Sequence, residues 1–330
     1  MRGESRNMEN QSNPSQRPAI LAGLKPGEKF LFSVVVLFIL LLASQFLGAL
    51  LAAWIYGYSM SDILTLGAFD DPRYVAASKL IQLLGSVGTF IIPALLFSFL
   101  FSGNPFSYYR FRDPAGALAI LITVGMMVSV IPLINYLAEI NLTMEFPIES
   151  VHRIMEQLEG EAEKIMRAFT STHSIWGLMV NLLMIGVVAA VGEELIFRGL
   201  LQKLLISMVK NAHIAILITA ILFSAFHFQF FSFIPRFVLG VILGYLMLLG
   251  RSIWFPIIAH FVNNAMGVIY YYFNSRGSAD DMLEEIGTSN LMPMAALISL
   301  LLFSVFFIAW YYQTNVVATR SPRPGKTGTD

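Results

Sequence analysis

The sequence predicts an all-α, polytopic membrane bundle of about eight transmembrane helices with both termini cytoplasmic. Three observations lead there. Of 330 residues, 56% are hydrophobic and 13% charged, with a mean hydropathy of +0.69, where soluble domains carry roughly 25% charged residues. Apolar stretches long enough to cross about 30 Å of hydrocarbon recur along the whole chain. Lys and Arg are enriched on alternate connections, as the positive-inside rule requires.

Taken in order, residues 1–28 form a polar Pro/Ser/Asn-containing tail expected to be disordered and cytoplasmic. No short apolar segment with a small-residue cleavage site follows it, so a cleaved signal peptide is not expected. Candidate spans lie near 30–56, 78–101, 115–138, 175–203, 213–232, 235–250, 253–273 and 291–312. The fourth is interrupted by charge and the sixth is short. With the N-terminus inside, the cytoplasmic connections hold Lys25 and Lys29, Arg110 and Arg112, Lys203 and Lys210, then Arg251. The outer connections carry fewer cations and the acidic runs "DDPR" and "ADDMLEE". These assignments divide the chain into peripheral spans at 29–140, an outer segment at 141–174, a core at 175–273, a loop and last span at 274–312, and a disordered cytoplasmic tail at 313–330. The expected location is the cell (inner) membrane.

Within the outer segment, Val151, Ile154, Met155, Leu158, Ala162, Ile165, Met166 and Phe169 share one helical face, and Glu156, Glu159, Glu163 and Lys164 the other. This predicts an interfacial amphipathic helix with Ser150 at its N-cap, either packed passively on the bundle or acting as a lid.

Composition also excludes. There is no Cys, so disulfides, thiolate nucleophiles and Cys-ligated zinc are ruled out. Net charge is zero with no basic tract, so nucleic acid is not an expected partner. The bilayer is.

Ionisable groups inside spans cost about 2.5–3.5 kcal/mol each on insertion scales and are therefore functional candidates. They come in three sets: "EELIFR" (193–198), "FSAFH" (223–227) and "HFVNN" (260–264). Residues four apart share a helix face, so Glu194 and Arg198 are expected to pair as a structural ion pair. Glu193 sits about 100° around the helix and meets Phe197, not a cation, four residues on. It is left for chemistry. His260 and Asn264 project from one face, and Phe223 lies one turn before His227 as an apolar buttress. At 1.5 Å per residue, Glu193 lies about 15 Å, His227 about 21 Å, His260 about 10 Å and Asn264 about 16 Å from the cytoplasmic ends of their spans. One pocket can hold them all. His152, His173 and His213 lie in or beside loops and read as ordinary interfacial histidines.

A buried Glu with His and no Gly-x-Ser-x-Gly turn suits activation of water, with Glu193 and His227 as the activating groups. His260 and the Asn264 amide can supply oxyanion donors. The same set, Glu193, His227 and His260, has the ligand types of a catalytic Zn²⁺ site, so both chemistries stay open.

The motifs Glu193-Glu194-Leu-Ile-Phe-Arg198, Phe223-Ser-Ala-Phe-His227 and His260-Phe-Val-Asn-Asn264 resemble those of the CPBP (Abi) intramembrane endopeptidases, which include the CAAX prenyl-protein proteases. The resemblance covers about 175–270. It implies a peptide or protein substrate, Glu193 and His227 as water activators, and His260 with Asn264 as oxyanion site. Some members look like bacteriocin-immunity proteins, so a non-catalytic scaffold is one alternative to hydrolysis. A proton-coupled transporter is another.

Overall fold

The structure, a computed structural model, describes residues 19–65, 69–111, 116–274 and 292–317. Most of the two tails and the 275–291 loop, with its "ADDMLEE" run, lie outside the described residues. Helix α1 (Pro26–Tyr56) opens with Pro26 in its first turn and the Glu28 carboxylate accepting from the Lys25 N–H at 2.8 Å. It closes at Gly57, whose φ of 74° is left-handed. Short α2 (Met60–Leu64) leads to α3 (Pro72–Ser102), then α4 (Pro105–Tyr108) and α5 (Ala117–Leu142), which breaks at Val130 ahead of Pro132. Next come α6 (Glu149–Thr170), α7 (Ile175–Val209), α8 (Ala212–Ala225), α9 (Phe233–Gly250), α10 (Trp254–Asn274) and α11 (Met292–Tyr312). There is no strand among the described residues.

Among the described residues six helices are long and apolar enough to cross a membrane: α1, α3, α5, α7, α9 with its preceding turn, and α11. The remaining two expected spans differ for physical reasons. Helix α10 has 21 residues, but His260, Asn263 and Asn264 make it less apolar. Helix α8 has 14 residues, about 21 Å of rise, and stops short of a bilayer's thickness. The expected 213–232 span therefore ends at Ala225 and is followed by a turn. Leu31, Phe38, Leu42 and Phe46 of α1 and Leu297, Leu301, Val305 and Ile308 of α11 are exposed, which suits lipid and not water.

Two apolar cores flank α7 to α10. One joins Phe97, Tyr109, Leu200, Phe223 and Ile253, the other Met126, Leu243, Phe255 and Trp310. The ends of the molecule are tied by distinct contacts. Lys203 reaches the Tyr108 carbonyl and Trp254 the Phe111 carbonyl at one end. Asn141 bonds the chain at Phe230 and Ile234 at the other.

Helix α6 starts at Glu149, after Ile148, so Ser150 lies in the first turn and is not the cap. Met155 and Phe169 are buried while Ile154 and Leu158 are exposed. The helix is rotated from the expected pose because Glu159, assigned to the polar face, turns inward to bond the chain after His227.

Candidate active site

Helix α7 is one continuous rod whose middle is re-registered twice, by π-helical segments at Leu182–Val188 and Leu195–Leu201. The Glu193–Glu194 pair sits between them. Such segments are concentrated at functional sites because they re-aim side chains along a helix. Gly192, just before the pair, faces Phe90 of α3 so closely that a Cβ there would stand 2.8 Å from the Phe90 Cβ.

Glu194 and Arg198 form the expected pair, with Nη1 donating to Oε1 at 2.6 Å and both side chains wholly buried. Arg198 Nη2 also donates to the Gly240 carbonyl at 3.3 Å, and its guanidinium lies 4.4 Å over the Phe223 ring. The same Glu194 oxygen accepts from His260 Nδ1 at 2.8 Å. A carboxylate already bound to Arg198 can only accept, so Nδ1 carries the proton and Nε2 is turned the other way.

His227 reaches the same state by a different route. Its Nδ1 donates to the Phe223 carbonyl one turn earlier at 2.9 Å, which again leaves Nε2 free. Both Nε2 atoms stand 3.9 Å from Glu193 Oε2. That oxygen is buried and has no hydrogen-bond partner within the protein. The Phe223 ring meets His227 edge-on at 5.2 Å and His260 at 5.6 Å, so it buttresses both imidazoles and not His227 alone.

Asn264 lies one turn beyond His260 on α10. Its Nδ2 donates to the Ile185 carbonyl at 3.0 Å, inside the first π segment of α7, while its Oδ1 accepts from Asn263. One amide proton remains. The structure thus brings Glu193, His227 and His260 together and hangs Asn264 on the same pair of helices.

His227 stands on a turn, residues 226–232, with left-handed Phe228 (φ 54°). Non-helical backbone at membrane depth is tolerated only where protein satisfies it, and here several side chains do. Asn141 donates to the Phe230 carbonyl and accepts from Ile234 N–H at 2.7 Å. Glu159 accepts from Gln229, Phe231 N–H and Ser232. Ser224 donates to the Phe233 carbonyl at 2.7 Å, and Arg236 grips Gln229 through both its side-chain and backbone oxygens. Sequence reasoning missed these residues, since single polar residues near span ends carry no periodic signal. His152 and His213, expected to be ordinary, pair with Glu156 and Tyr245.

Two imidazoles and a carboxylate are the ligand types of zinc. The arrangement, however, is wide for it. Tetrahedral ligation with bonds of roughly 2.0–2.1 Å places ligand atoms about 3.3 Å apart, and Glu193 Oε2 lies 3.9 Å from each nitrogen. Among the described residues no three His, Asp or Glu are placed to hold a metal. As arranged, the set does not fit the ion.

The molecule is thus a multi-pass membrane protein with a half-buried Glu–His–His cluster among its helices. Residues 175–266 match the family model described as type II CAAX prenyl endopeptidase Rce1-like, a stretch that runs from α7 into α10 and takes in every residue from Glu193 to Asn264. The match agrees with the resemblance to the CPBP endopeptidases and, at the level of family, supports a CAAX-protease-like intramembrane endopeptidase. No curated protein and no solved structure matches the chain.

Proposed function

We propose that this protein is an intramembrane endopeptidase in which Glu193 and His227 activate a water molecule. The observation that carries the reading is the orphaned Glu193 Oε2 faced by two Nε2 atoms at 3.9 Å. A separation of 3.9 Å between Glu193 Oε2 and His227 Nε2 suits a bridging water that donates one proton to each. Such a water attacks the scissile carbonyl carbon as Glu193 takes its proton. Negative charge then develops on the carbonyl oxygen.

Donors for that charge are the second Asn264 amide proton and His260. The Glu194 carboxylate at Nδ1 fixes the His260 ring so that Nε2 faces the site, and a proton carried on Nε2 is what it donates. Collapse of the tetrahedral intermediate breaks the C–N bond, and the proton held by Glu193 passes to the leaving amine. Water is consumed and two peptide fragments leave. The substrate is a peptide or protein. The inner membrane, with both termini in the cytoplasm, is the proposed location.

The test is cleavage of a peptide library, prenylated CAAX peptides included, by purified protein beside Glu193→Gln. General acid–base catalysis contributes about 10²–10⁴-fold, so the variant should lose at least two orders of magnitude in rate while remaining folded. Equal behaviour of the two proteins would reject hydrolysis in favour of an immunity or transport role.

A further inference from the structure

At the end of the molecule opposite α6, three cations from elements distant in sequence gather with no acidic partner among the described residues. Lys29, in the first turns of α1, donates to the Ala22 carbonyl at 2.9 Å and lies 5.3 Å over the Phe101 ring. Lys203 of α7 lies 3.5 Å over the Tyr108 ring and donates to the Tyr108 carbonyl at 3.4 Å. Arg110 follows two residues after Tyr108. Phe101 and Tyr108 belong to one packed cluster, and the charges of Lys29 and Arg110 act on Lys203. Aromatic faces hold two of the cations in place against that repulsion.

No carboxylate among the described residues lies within ion-pair distance of any of the three. Glu28, adjacent in sequence, spends its carboxylate on the Lys25 N–H at the start of α1. Arg110 and Lys203 are exposed and Lys29 half-exposed, so a ligand can reach them. Arg110 has φ 58°, a left-handed geometry that glycine adopts without cost.

We propose that Lys29, Arg110 and Lys203 form a site for the phosphate of an anionic membrane lipid. A shared anion offsets the mutual repulsion of like charges from three separate elements, and basic pockets between spanning helices suit acidic headgroups. The lipid is favoured over a soluble anion because the site lies at the ends of α1, α3 and α7, beside apolar side chains that acyl chains can cover. Leu31 and Phe106, 66% and 60% exposed, are two of them. All three cations fall on connections that the charge pattern assigns to the cytoplasmic side, where anionic lipids are enriched. The site stands independently of the proposed hydrolysis.

The experiment titrates full-length protein in neutral detergent with short-chain phosphatidylglycerol or phosphatidylcholine, reading thermal unfolding and lipid retention by native mass spectrometry. Wild type should retain phosphatidylglycerol and rise in Tm with it, and should do neither with phosphatidylcholine. Loss of one cation should weaken retention about fivefold. Arg110→Gly is the informative variant, because it removes the guanidinium while relieving the left-handed backbone and so keeps the fold. Lys203→Gln should weaken binding likewise, and Arg153→Gln on α6 should not. Equal responses to the two lipids, or undiminished retention in Arg110→Gly and Lys203→Gln, would overturn the proposal. Protection by inorganic phosphate as strong as by phosphatidylglycerol would also overturn it, making this a soluble-anion site.

Discussion

At the scale of single residues, the two adjacent glutamates have opposite surroundings. Glu194 is held by Arg198 and His260, whereas Glu193 Oε2 has no partner. Their substitutions should therefore fail differently. Arg198→Ala leaves a buried carboxylate uncompensated, and breaking such a pair costs about 3–5 kcal/mol. Fluorescence-detected size exclusion after membrane extraction should show loss of folded protein. Glu194→Gln keeps the shape but offers His260 and Arg198 a weaker acceptor, so some folded protein with little activity is expected. Glu193→Gln should elute like wild type and be inactive. An Arg198→Ala protein that folds normally yet does not cleave would move Arg198 from structural support into the reaction.

At the scale of elements, the site depends on irregular segments. Helix α7 carries π segments on both sides of its glutamates, and α8 ends early so that His227 can sit on a turn. Glu159 of α6 fastens that turn with three hydrogen bonds. Glu159→Ala should raise amide exchange over 226–236 while leaving α5 and α11 protected, and hydrogen–deuterium exchange mass spectrometry will report it. Under the proposed mechanism kcat falls more than KM, since His227 is loosened and the substrate's binding surface is not. At Gly192, a methyl would press on Phe90, and overpacking of this kind typically costs about 1–3 kcal/mol. Gly192→Ala should lower Tm and push the π segment of α3 (Val87–Ile91) away from Glu193.

At the scale of the molecule, the two ends differ in chemistry. One carries Lys29, Arg110, Lys203, Lys210 and Arg251, the last two capping α7 and α9 in left-handed conformations. Cations there also complement the negative ends of the helix dipoles. The other end carries α6. If the positive-inside pattern sets the topology, Lys210→Cys should be labelled by an impermeant thiol reagent only after the cells are opened, and Glu156→Cys in intact cells. With no native cysteine in the chain, each signal is unambiguous. The reverse pattern would invert the topology and place the lipid site on the outer leaflet.

The sequence by itself determined the all-helical membrane class of fold and singled out the candidate residues that the structure brings together. Hydrophobic length and charge asymmetry are properties of the chain, and an ionisable residue inside an apolar run is conspicuous whatever surrounds it. The spacing of Glu194 and Arg198 was likewise enough to pair them, because helix geometry is local. Only the tertiary structure decided the rest. That Glu194 also holds His260, that α8 stops at Ala225, that Glu159 turns inward and that Asn264 bonds the Ile185 carbonyl all depend on contacts between residues far apart in the chain. A hydrogen bond across 66 or 79 positions leaves no periodic trace, since its geometry is set by how the helices pack and not by the residues beside it.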